Sequence, residues 1–195
     1  MSINRIIRCA NILLHRLHFS LVTFTEIFVW KICGVKLGGG ARFAGWCRMI
    51  KIEGSDIEVG KNAHFVSSSF ISHLGINHKC IISTETSEAK IKIGDNCGFS
   101  GVSIVAFKSI KIGNNVRVGV NSTIMDSDFH PDDSRSGDDK PIKIDDNVWL
   151  GANVMVMKGV HIGENSMIGA NSLVTKDIPA NVIAAGSPCR VIRDL

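Results

Sequence analysis

The chain contains a six-residue repeat that runs without a break from Ile144 to Pro179. The segment divides into the blocks IDDNVW, LGANVM, VMKGVH, IGENSM, IGANSL and VTKDIP. The first position of every block is aliphatic, and these residues are Ile144, Leu150, Val156, Ile162, Ile168 and Val174. Because six is an even number, the first-position side chains of an extended chain all point to the same face. The repeat therefore predicts a stack of short strands with one buried face.

The fourth position of the blocks holds residues that tolerate left-handed backbone, namely Asn147, Asn153, Gly159, Asn165, Asn171 and Asp177. These residue types accept the positive φ that a tight corner requires. Less regular blocks precede this segment, and their fourth positions also hold asparagine, at Asn62, Asn96, Asn115 and Asn121. Short strands that alternate with tight corners are typical of a parallel β-helix. The sequence therefore predicts an all-β solenoid over residues 37–179, with a tail at 180–195.

Charge is distributed unevenly along the chain. The formal net charge is +4, from 22 basic and 18 acidic residues. Up to Lys36 there are five basic residues and one acid, Glu26, so the remaining 17 basic and 17 acidic residues balance. A general nucleic-acid binder would need a basic stripe along the body of the molecule. We therefore expect no nucleic-acid partner.

Residues 1–36 do not share the six-residue period. Apolar residues recur there at helical spacing, with basic and polar residues between them. The apolar run from Leu17 to Trp30 has fourteen residues, fewer than the ~20 that a membrane-spanning helix needs. Two interpretations of this helical arm remain open: it caps one end of the solenoid, or it lies on an anionic membrane surface through residues 1–32.

The repeat is interrupted by a polar segment, DSDFHPDDSRSGDDKP, at 126–141. Insertions in solenoids form loops on one face, often the face that carries function. His130 lies in this loop, after Asp126 and Asp128. Imidazole is the simplest general base near neutral pH, and the neighbouring acids are placed to hold its ring. The sequence therefore predicts His130 as the base of an active site rather than a solvated surface histidine.

No metal site is expected from the sequence. The other six histidines show no ligand spacing, and the six acids between Asp126 and Asp139 do not match the spacing of a calcium loop. The six cysteines lack a CxxC pair, which favours small buried thiols in a reducing cytosol over disulfides or a metal site.

Trp149 occupies the sixth position of its block and is expected to point outward beside the loop. Two roles remain open for its indole, packing against the loop and serving as a platform for a ligand. The neighbouring corners contain small residues, at Gly151, Ala152, Gly169 and Ala170. Cations follow near the C-terminus, at Lys158, Lys176, Arg190 and Arg193. Small residues let a thin ligand run against the backbone, and cations suit its phosphate groups.

The segment from Ile93 to Leu195 resembles the hexapeptide-repeat acyltransferases, in the branch that contains maltose, galactoside and polysaccharide O-acetyltransferases. The resemblance rests on the repeats and on the motifs DSDFHP, DNVWLGANV, IGANSLVTKDIP and AAGSPCRVIRDL. It covers residues 37–92 only through the loose repeat. It implies a left-handed β-helix and a cytoplasmic homotrimer with three active sites, each between neighbouring subunits. The arm resembles those of members that modify capsule, exopolysaccharide or lipopolysaccharide sugars. The membrane interpretation of the arm, from its cationic and apolar residues, would place this chain peripherally on the inner membrane.

The resemblance also implies the chemistry. Acetyl-CoA donates an acetyl group to a sugar hydroxyl, and His130 falls on the catalytic histidine of the family. The positions that line the acetyl-CoA channel correspond to Trp149, Ala152, Ala170, Thr175, Lys176, Arg190 and Arg193. We place Asp126, Asp128 and Gly101 on the acceptor side. Gly101 falls where galactoside-type members carry an acceptor-binding Asn, and this departure argues against a galactoside-like acceptor.

Three other functions remain open at this point. The chain would be an N-acyltransferase if its acceptor were an amino sugar. A zinc enzyme like the γ-type carbonic anhydrases uses the same left-handed helix with three interface histidines. A non-catalytic solenoid would serve as a scaffold for polysaccharide assembly and would not bind CoA.

Overall fold

The computed structural model describes residues 19–69, 71–72 and 74–195. Residues 19–32 form an α-helix, α1, and the described chain after it folds as a left-handed parallel β-helix. The predicted fold class is therefore confirmed. Residues 1–18 of the predicted arm lie outside the described residues.

The coils of the β-helix pass through three sheets, A, B and C, in turn. Sheet A contains, in stacking order, β1 (Lys36–Leu37), β4 (Asp56–Val59), β7 (Lys90–Ile93), β10 (Ser109–Ile112), β13 (Ile142–Ile144) and β16 (His161–Ile162). Sheet B contains β2 (Arg42–Ala44), β5 (His64–Val66), β8 (Gly98–Ser100), β11 (Arg117–Val118), β14 (Trp149–Leu150), β17 (Met167–Ile168), β19 (Val182–Gly186) and β20 (Cys189–Asp194). Sheet C contains β3 (Arg48–Ile50), β6 (Ile81–Thr84), β9 (Ser103–Ala106), β12 (Thr123–Met125), β15 (Met155–Val156) and β18 (Leu173–Val174). The described neighbours pair in parallel, except for the antiparallel pair β19–β20.

Asparagine forms most corners of the coils. The eight Asn residues predicted at fourth positions have φ between 55° and 60°, and Gly159 has φ 79°. At the edge between sheets A and B, their side-chain amides form a ladder of hydrogen bonds of 2.8–3.3 Å that joins Asn62, Asn96, Asn115, Asn147, Asn165 and Asn181. Asp177 departs from the rule, because its φ is not positive and its Oδ1 accepts a hydrogen bond from His161 N at 2.8 Å. The corner prediction is confirmed at the other positions.

The three sheets enclose a triangular prism, and its interior is aliphatic and tightly packed. Each first-position residue of the regular repeat is at most 1% exposed. Adjacent coils lie ~4.8 Å apart, the spacing of paired strands, and the second positions held by glycine leave no room for a side chain. A Cβ at Gly151 would lie 2.6 Å from Ala170 N, and one at Gly163 would lie 2.5 Å from Ala180 N. The glycines of the repeat are therefore required by close stacking of the coils.

The helix α1 closes the end of the prism at the first coil. Trp30 is fully buried, with its ring 5.0 Å from Phe43 and 5.4 Å from Phe65. Phe43, Phe65 and Phe99 stack on one another at 5.2 Å in successive coils. The carboxylate of Glu26 is also buried and accepts a hydrogen bond from Cys47 N at 2.6 Å. These contacts show that the described part of the arm, α1, caps the solenoid, which is one of the two predicted interpretations of the arm.

Three segments depart from the regular coils. Residues 67–80 connect β5 to β6, and residues 126–141 connect β12 to β13. Residues 182–194 continue sheet B as the β19–β20 hairpin, where the sequence predicted only a tail. In the described part of the chain, no helix has the length and hydropathy required to cross a membrane.

Candidate functional site

The loop 126–141 leaves the solenoid where sheet C gives way to sheet A, which we call the C–A edge. Asp126, the first residue of the loop, anchors it to the preceding coil. One carboxylate oxygen accepts a hydrogen bond from Phe107 N at 2.7 Å, and the other accepts bonds from Lys108 N at 2.9 Å and Ser109 N at 2.6 Å. The side chain is fully buried, and burial raises the pKa of its carboxyl although the three amides oppose that shift. Asp126 therefore holds the base of the loop and offers no surface to a substrate, unlike the role predicted for it.

Asp128 ties the loop to the next coil. Its Oδ2 accepts a hydrogen bond from Lys158 Nζ at 2.6 Å, and the same ammonium group donates to Gly137 O at 2.6 Å. The bond from Lys158 holds the pKa of the Asp128 carboxyl below its usual range. Lys158 is thus engaged in fixing the loop, so it is not free to contact a phosphate. Asp128 remains partly exposed and close to the loop surface.

His130 is exposed near the tip of the loop. It lines an open depression of about 510 Å³ formed by residues 129–134. The preceding residue, Phe129, has φ 65°, and its ring packs edge-on against Phe107 at 4.9 Å. The described hydrogen bonds of Asp126 and Asp128 go to other groups, so neither acid holds the imidazole as the sequence predicted. The loop is well anchored, while the ring itself projects toward solvent.

Gly101 lies under the other excursion, the segment 67–80. Its φ is +54°, and a Cβ there would overlap Ile76 Cγ2 and lie 2.9 Å from His78 O. Asn77 N donates to Asn121 Oδ1 at 2.9 Å, and the His78 ring bonds Ser103 Oγ at 3.0 Å. The glycine is therefore covered by the chain itself and does not reach a substrate in this structure, contrary to its predicted place on the acceptor side.

The predicted cofactor residues lie mainly along the edge between sheets B and C, which we call the B–C edge. Ala152 and Ala170 occupy successive corners there, joined by the hydrogen bond from Asn171 N to Ala152 O at 2.8 Å. Trp149 begins this stretch on sheet B and is 50% exposed. Arg190 pairs with Ala185 in the terminal hairpin, directly above the Gly169 corner. The structure therefore brings these four residues together along one line.

The remaining predicted residues lie elsewhere on the surface. Thr175 and Lys176 are exposed at the C–A edge, two coils beyond the loop. Arg193 is exposed on β20, with its Nη1 bonded to Asp194 O at 2.9 Å. His130 and the small residues Ala152 and Ala170 are on opposite edges of sheet C. A single chain therefore does not bring the predicted base and the predicted cofactor strip together.

Sheet B contains a groove that the sequence analysis did not identify. The outward-pointing sixth positions of successive blocks form a column on this sheet, Arg42, His64, Gly98, Arg117 and Trp149, and the last four of them line the groove. The groove has a volume of about 380 Å³. Comparison of the sixth positions across the blocks, rather than along one block, would have revealed this column.

Comparisons with known proteins place the chain among sequences of the same repeat. The family model "Bacterial transferase hexapeptide (six repeats)" matches residues 141–176, and "Hexapeptide repeat of succinyl-transferase" matches 109–125. Galactoside O-acetyltransferase of Escherichia coli is 46% identical over 98 residues, which are 48% of each chain. The Lactococcus lactis galactoside O-acetyltransferase is 50% identical over 99 residues, 48% of this chain and 47% of the relative. The chain spans about half the length of these curated relatives.

Solved structures extend the similarity. The N-acyltransferase AntD of Bacillus cereus, solved with dTDP and 3-hydroxybutyryl-CoA, superimposes with a TM-score of 0.65 over 84% of this chain and 85% of that chain. Its identity is 17%, so the likeness concerns the fold alone. A hexapeptide-repeat containing acetyltransferase of Vibrio cholerae O1 biovar eltor, complexed with acetyl coenzyme A, is 30% identical with a TM-score of 0.50. The match covers 60% of this chain and 69% of that one. The chain therefore belongs to the hexapeptide-repeat acetyltransferase family.

Proposed function

We propose that this protein transfers an acetyl group from acetyl-CoA to a hydroxyl group of a sugar. The observation that carries the proposal is the anchored loop that presents His130, in a chain of the hexapeptide-repeat acetyltransferase family. Curated relatives with 46% and 50% identity are galactoside O-acetyltransferases, which supports oxygen rather than nitrogen as the acceptor atom. We place the reaction in the synthesis of a surface polysaccharide, in the cytoplasm.

His130 acts as the general base in this proposal. The imidazole takes the proton of the acceptor hydroxyl while the oxygen attacks the thioester carbonyl carbon. The new C–O bond forms as the carbonyl becomes a tetrahedral oxyanion. That intermediate then collapses with cleavage of the C–S bond, and the CoA sulfur receives the proton from the imidazolium. No covalent enzyme intermediate is needed, because the cleft holds both reactants and proximity supplies much of the rate.

The B–C edge supplies the cofactor side. Ala152 and Ala170 expose backbone, so the thin pantetheine arm of CoA can lie against the corners without meeting long side chains. The half-exposed indole of Trp149 offers an apolar wall at one end. The exposed guanidinium of Arg190 stands at the other end, with Arg193 on the same strand. Guanidinium groups pair with phosphate oxygens in a bidentate manner. Thr175 and Lys176 line the approach from the C–A edge.

The proposed site requires a second copy of the chain. His130 is at the C–A edge and the cofactor strip is at the B–C edge, so the two meet only if one subunit presents its C–A edge to the B–C edge of another. This contact joins two different surfaces, and such heterologous contacts close into a ring when the rotation permits. A prism with three faces suits closure by three copies, so we propose a homotrimer with one site at each junction.

The outer face of α1 supports contact with an anionic membrane. Val22, Glu26 and Trp30 face the coil and are buried. The opposite side of the helix is apolar and 59–70% exposed at Leu21, Phe24, Phe28 and Ile32. The acid of this helix is turned inward, while Lys31 is exposed. A helix that is apolar on both faces, with a cation and no acid at its outer face, is suited to the interface of an anionic bilayer. We propose peripheral attachment of the enzyme to the inner membrane through the arm, residues 1–32.

The substitution His130→Ala tests the proposed chemistry. We expect turnover to fall by ~10²–10⁴, the usual contribution of a general base, with no loss of CoA binding. The side chain is exposed, so the free energy of unfolding should change by no more than ~0.5 kcal/mol. Turnover with acetyl-CoA and a panel of sugars measures the first effect, and calorimetric titration with CoA measures the second.

His161→Ala is the matched control for this test. His161 is another partly exposed histidine, which lies on sheet A outside the loop and bonds Asp145 Oδ2 through its Nε2 at 2.6 Å. The control should retain wild-type turnover. Full activity of the His130→Ala variant, together with stoichiometric zinc in the purified protein, would favour the metal-dependent alternative. Absence of CoA binding in the wild-type protein would favour a scaffold.

A further inference from the structure

The groove on sheet B has the shape of a small binding site. Gly98 occupies the middle of the outward column, with His64 in the strand below and Arg117 in the strand above. A Cβ at Gly98 would meet nothing within 4 Å, so the missing side chain leaves a notch. The flanking strands are each ~4.8 Å away, so the walls of the notch stand about 10 Å apart. The volume of about 380 Å³ falls in the range of ~300–1,000 Å³ typical of small-molecule sites.

The charge of the groove is positive and uncompensated. The residues that line it include no Asp or Glu. In the described part of the chain, Arg42 and Arg117 form no ion pair, and their guanidinium groups take part in none of the side-chain hydrogen bonds. Burial lowers the pKa of His64, and the charge of Arg42 lowers it further. An anion entering the notch would therefore find the guanidinium donors of Arg117 without displacing an acid.

Sheet A shows that this imbalance is a local feature. Its outward column is also rich in cations, but acids stand among them. Glu58 contacts Lys36 at 2.7 Å and Lys92 at 3.6 Å, and Asp145 contacts Lys143 at 2.9 Å. Cations on sheet A are thus partly neutralised within the sheet, whereas those on sheet B are not.

The groove adjoins the proposed cofactor strip. Trp149 stands above Arg117 in the column and also begins the line to Ala152 and Ala170. An indole face is a suitable platform for the apolar face of a sugar ring. Ser100 also lines the notch, and its hydroxyl group offers a hydrogen bond to a sugar hydroxyl. A molecule bound in the notch would therefore lie beside the thioester end of a cofactor that follows the B–C edge.

We propose that this groove is the acceptor subsite and that it selects an anionic sugar, one that carries a carboxylate or a phosphate. Arg117 pairs with the anion, and Trp149 stacks on the sugar ring. The assignment of the bound sugar as the acceptor rests on the proposed acetyl transfer. Binding of the sugar in the groove can be measured without any transfer. Carboxylate and phosphate share the chemistry that a guanidinium recognises.

Calorimetric titration of the full chain tests the proposal with paired probes. The carboxylate pair is an oligosaccharide that contains glucuronic acid and the same oligosaccharide after reduction of its carboxyl groups. The phosphate pair is glucose 1-phosphate and glucose. We expect one charged probe to bind at least about tenfold more tightly than its neutral partner, the scale of a charge-assisted hydrogen bond. The pair that shows the difference identifies the anion, and raised salt should weaken the binding.

Three variants and one control locate the binding. Arg117→Gln should weaken binding of the charged probe at least about tenfold, and Arg117→Lys should restore part of it. Gly98→Leu should block the notch, and it should fold because Gly98 has no positive φ and its Cβ would project into open space. Lys92→Gln removes an exposed cation from sheet A and should leave the affinity unchanged.

Distinct results overturn the inference and the proposed function. The inference is wrong if neutral and charged probes bind alike, if no charged probe binds, or if Arg117→Gln and Gly98→Leu leave affinity unchanged. Each of these outcomes leaves acetyl transfer to a neutral sugar intact as a function. Failure of the wild-type protein to bind CoA would instead remove acetyl transfer, while selective binding of a charged probe would still assign the groove.

Discussion

Asp126 is the residue on which the position of the loop 126–141 depends. Its carboxylate collects the three consecutive amides of residues 107–109, and its own carbonyl accepts a hydrogen bond from Lys140 N at 3.1 Å. The first contacts fix the start of the loop to the coil below, and the last fixes the end of the loop to its start. A buried carboxylate with three donors is stable only while all of them remain in place.

Asp126→Asn should destabilise the fold and lower turnover together. The amide has one acceptor oxygen, and its NH2 group would face an N–H donor, so at least one buried amide loses its partner. Leaving a buried donor unsatisfied costs about 1–3 kcal/mol, which chemical denaturation would measure as a lower free energy of unfolding. Asp128→Asn is the control, because that side chain is partly exposed and should cost less. Wild-type stability of the Asp126→Asn protein would contradict the anchoring role.

The sequence predicts the structural roles of some residues better than those of others, and the reason is physical. A positive φ at Asn147 or Asn165 is a local demand of the corner, and it is visible in the residue type itself. The role of Asp126 depends on amides seventeen to nineteen positions earlier in the chain, which only the stacking of coils brings close. Gly101 is covered by Ile76, which also comes from another coil. Local backbone requirements could therefore be predicted, and contacts between coils could not.

At the scale of elements, α1 has two different faces. One face caps the solenoid, and the other is apolar and exposed. A solenoid exposes its core at each end unless a cap covers it, and Trp30 fills that place by stacking on Phe43. The spacing of apolar residues predicted the helix, but it gave no way to tell the inner face from the outer one, since both are apolar. The β19–β20 hairpin was also missed. The six-residue period ends at Pro179, so the sequence beyond it contains no periodic pattern that predicts strands.

The double substitution Phe24→Ser and Phe28→Ser should release the protein from membranes. Both side chains are exposed, so the cap itself should stay folded. Burial of one large apolar side chain is worth about 1.5–3 kcal/mol, so removing two should weaken binding at least about tenfold. The measurement is co-sedimentation of the full chain with vesicles of phosphatidylglycerol and phosphatidylcholine, compared with phosphatidylcholine alone.

Leu74→Ser serves as the control in this experiment, because Leu74 is also highly exposed but lies in the segment 67–80. It should bind vesicles as the wild type does. Failure of the wild-type protein to sediment with anionic vesicles would leave α1 as a cap only. A change in oligomeric mass caused by the double substitution, with vesicle binding intact, would instead assign the outer face to a second copy of the chain.

At the scale of the whole molecule, the three edges of the prism have different roles. The A–B edge is occupied by the asparagine ladder and is structural. The C–A edge carries the loop with His130, and the B–C edge carries the small residues of the proposed cofactor strip. Because sheet C separates these two edges, one chain holds both halves of the proposed site without bringing them together.

Mixing two inactive variants should therefore restore activity. His130→Ala removes the base, and Ala170→Trp fills the exposed corner of the cofactor strip, so each variant alone should be inactive. In a ring of three drawn at random from equal amounts of both chains, about a quarter of the junctions pair an intact His130 with an intact strip. Co-refolded mixtures should thus recover about a quarter of wild-type turnover. Light scattering should give three times the 21.1 kDa of one chain, about 63 kDa. Mixtures without activity, or a particle with the mass of one chain, would show that the site is not shared between subunits.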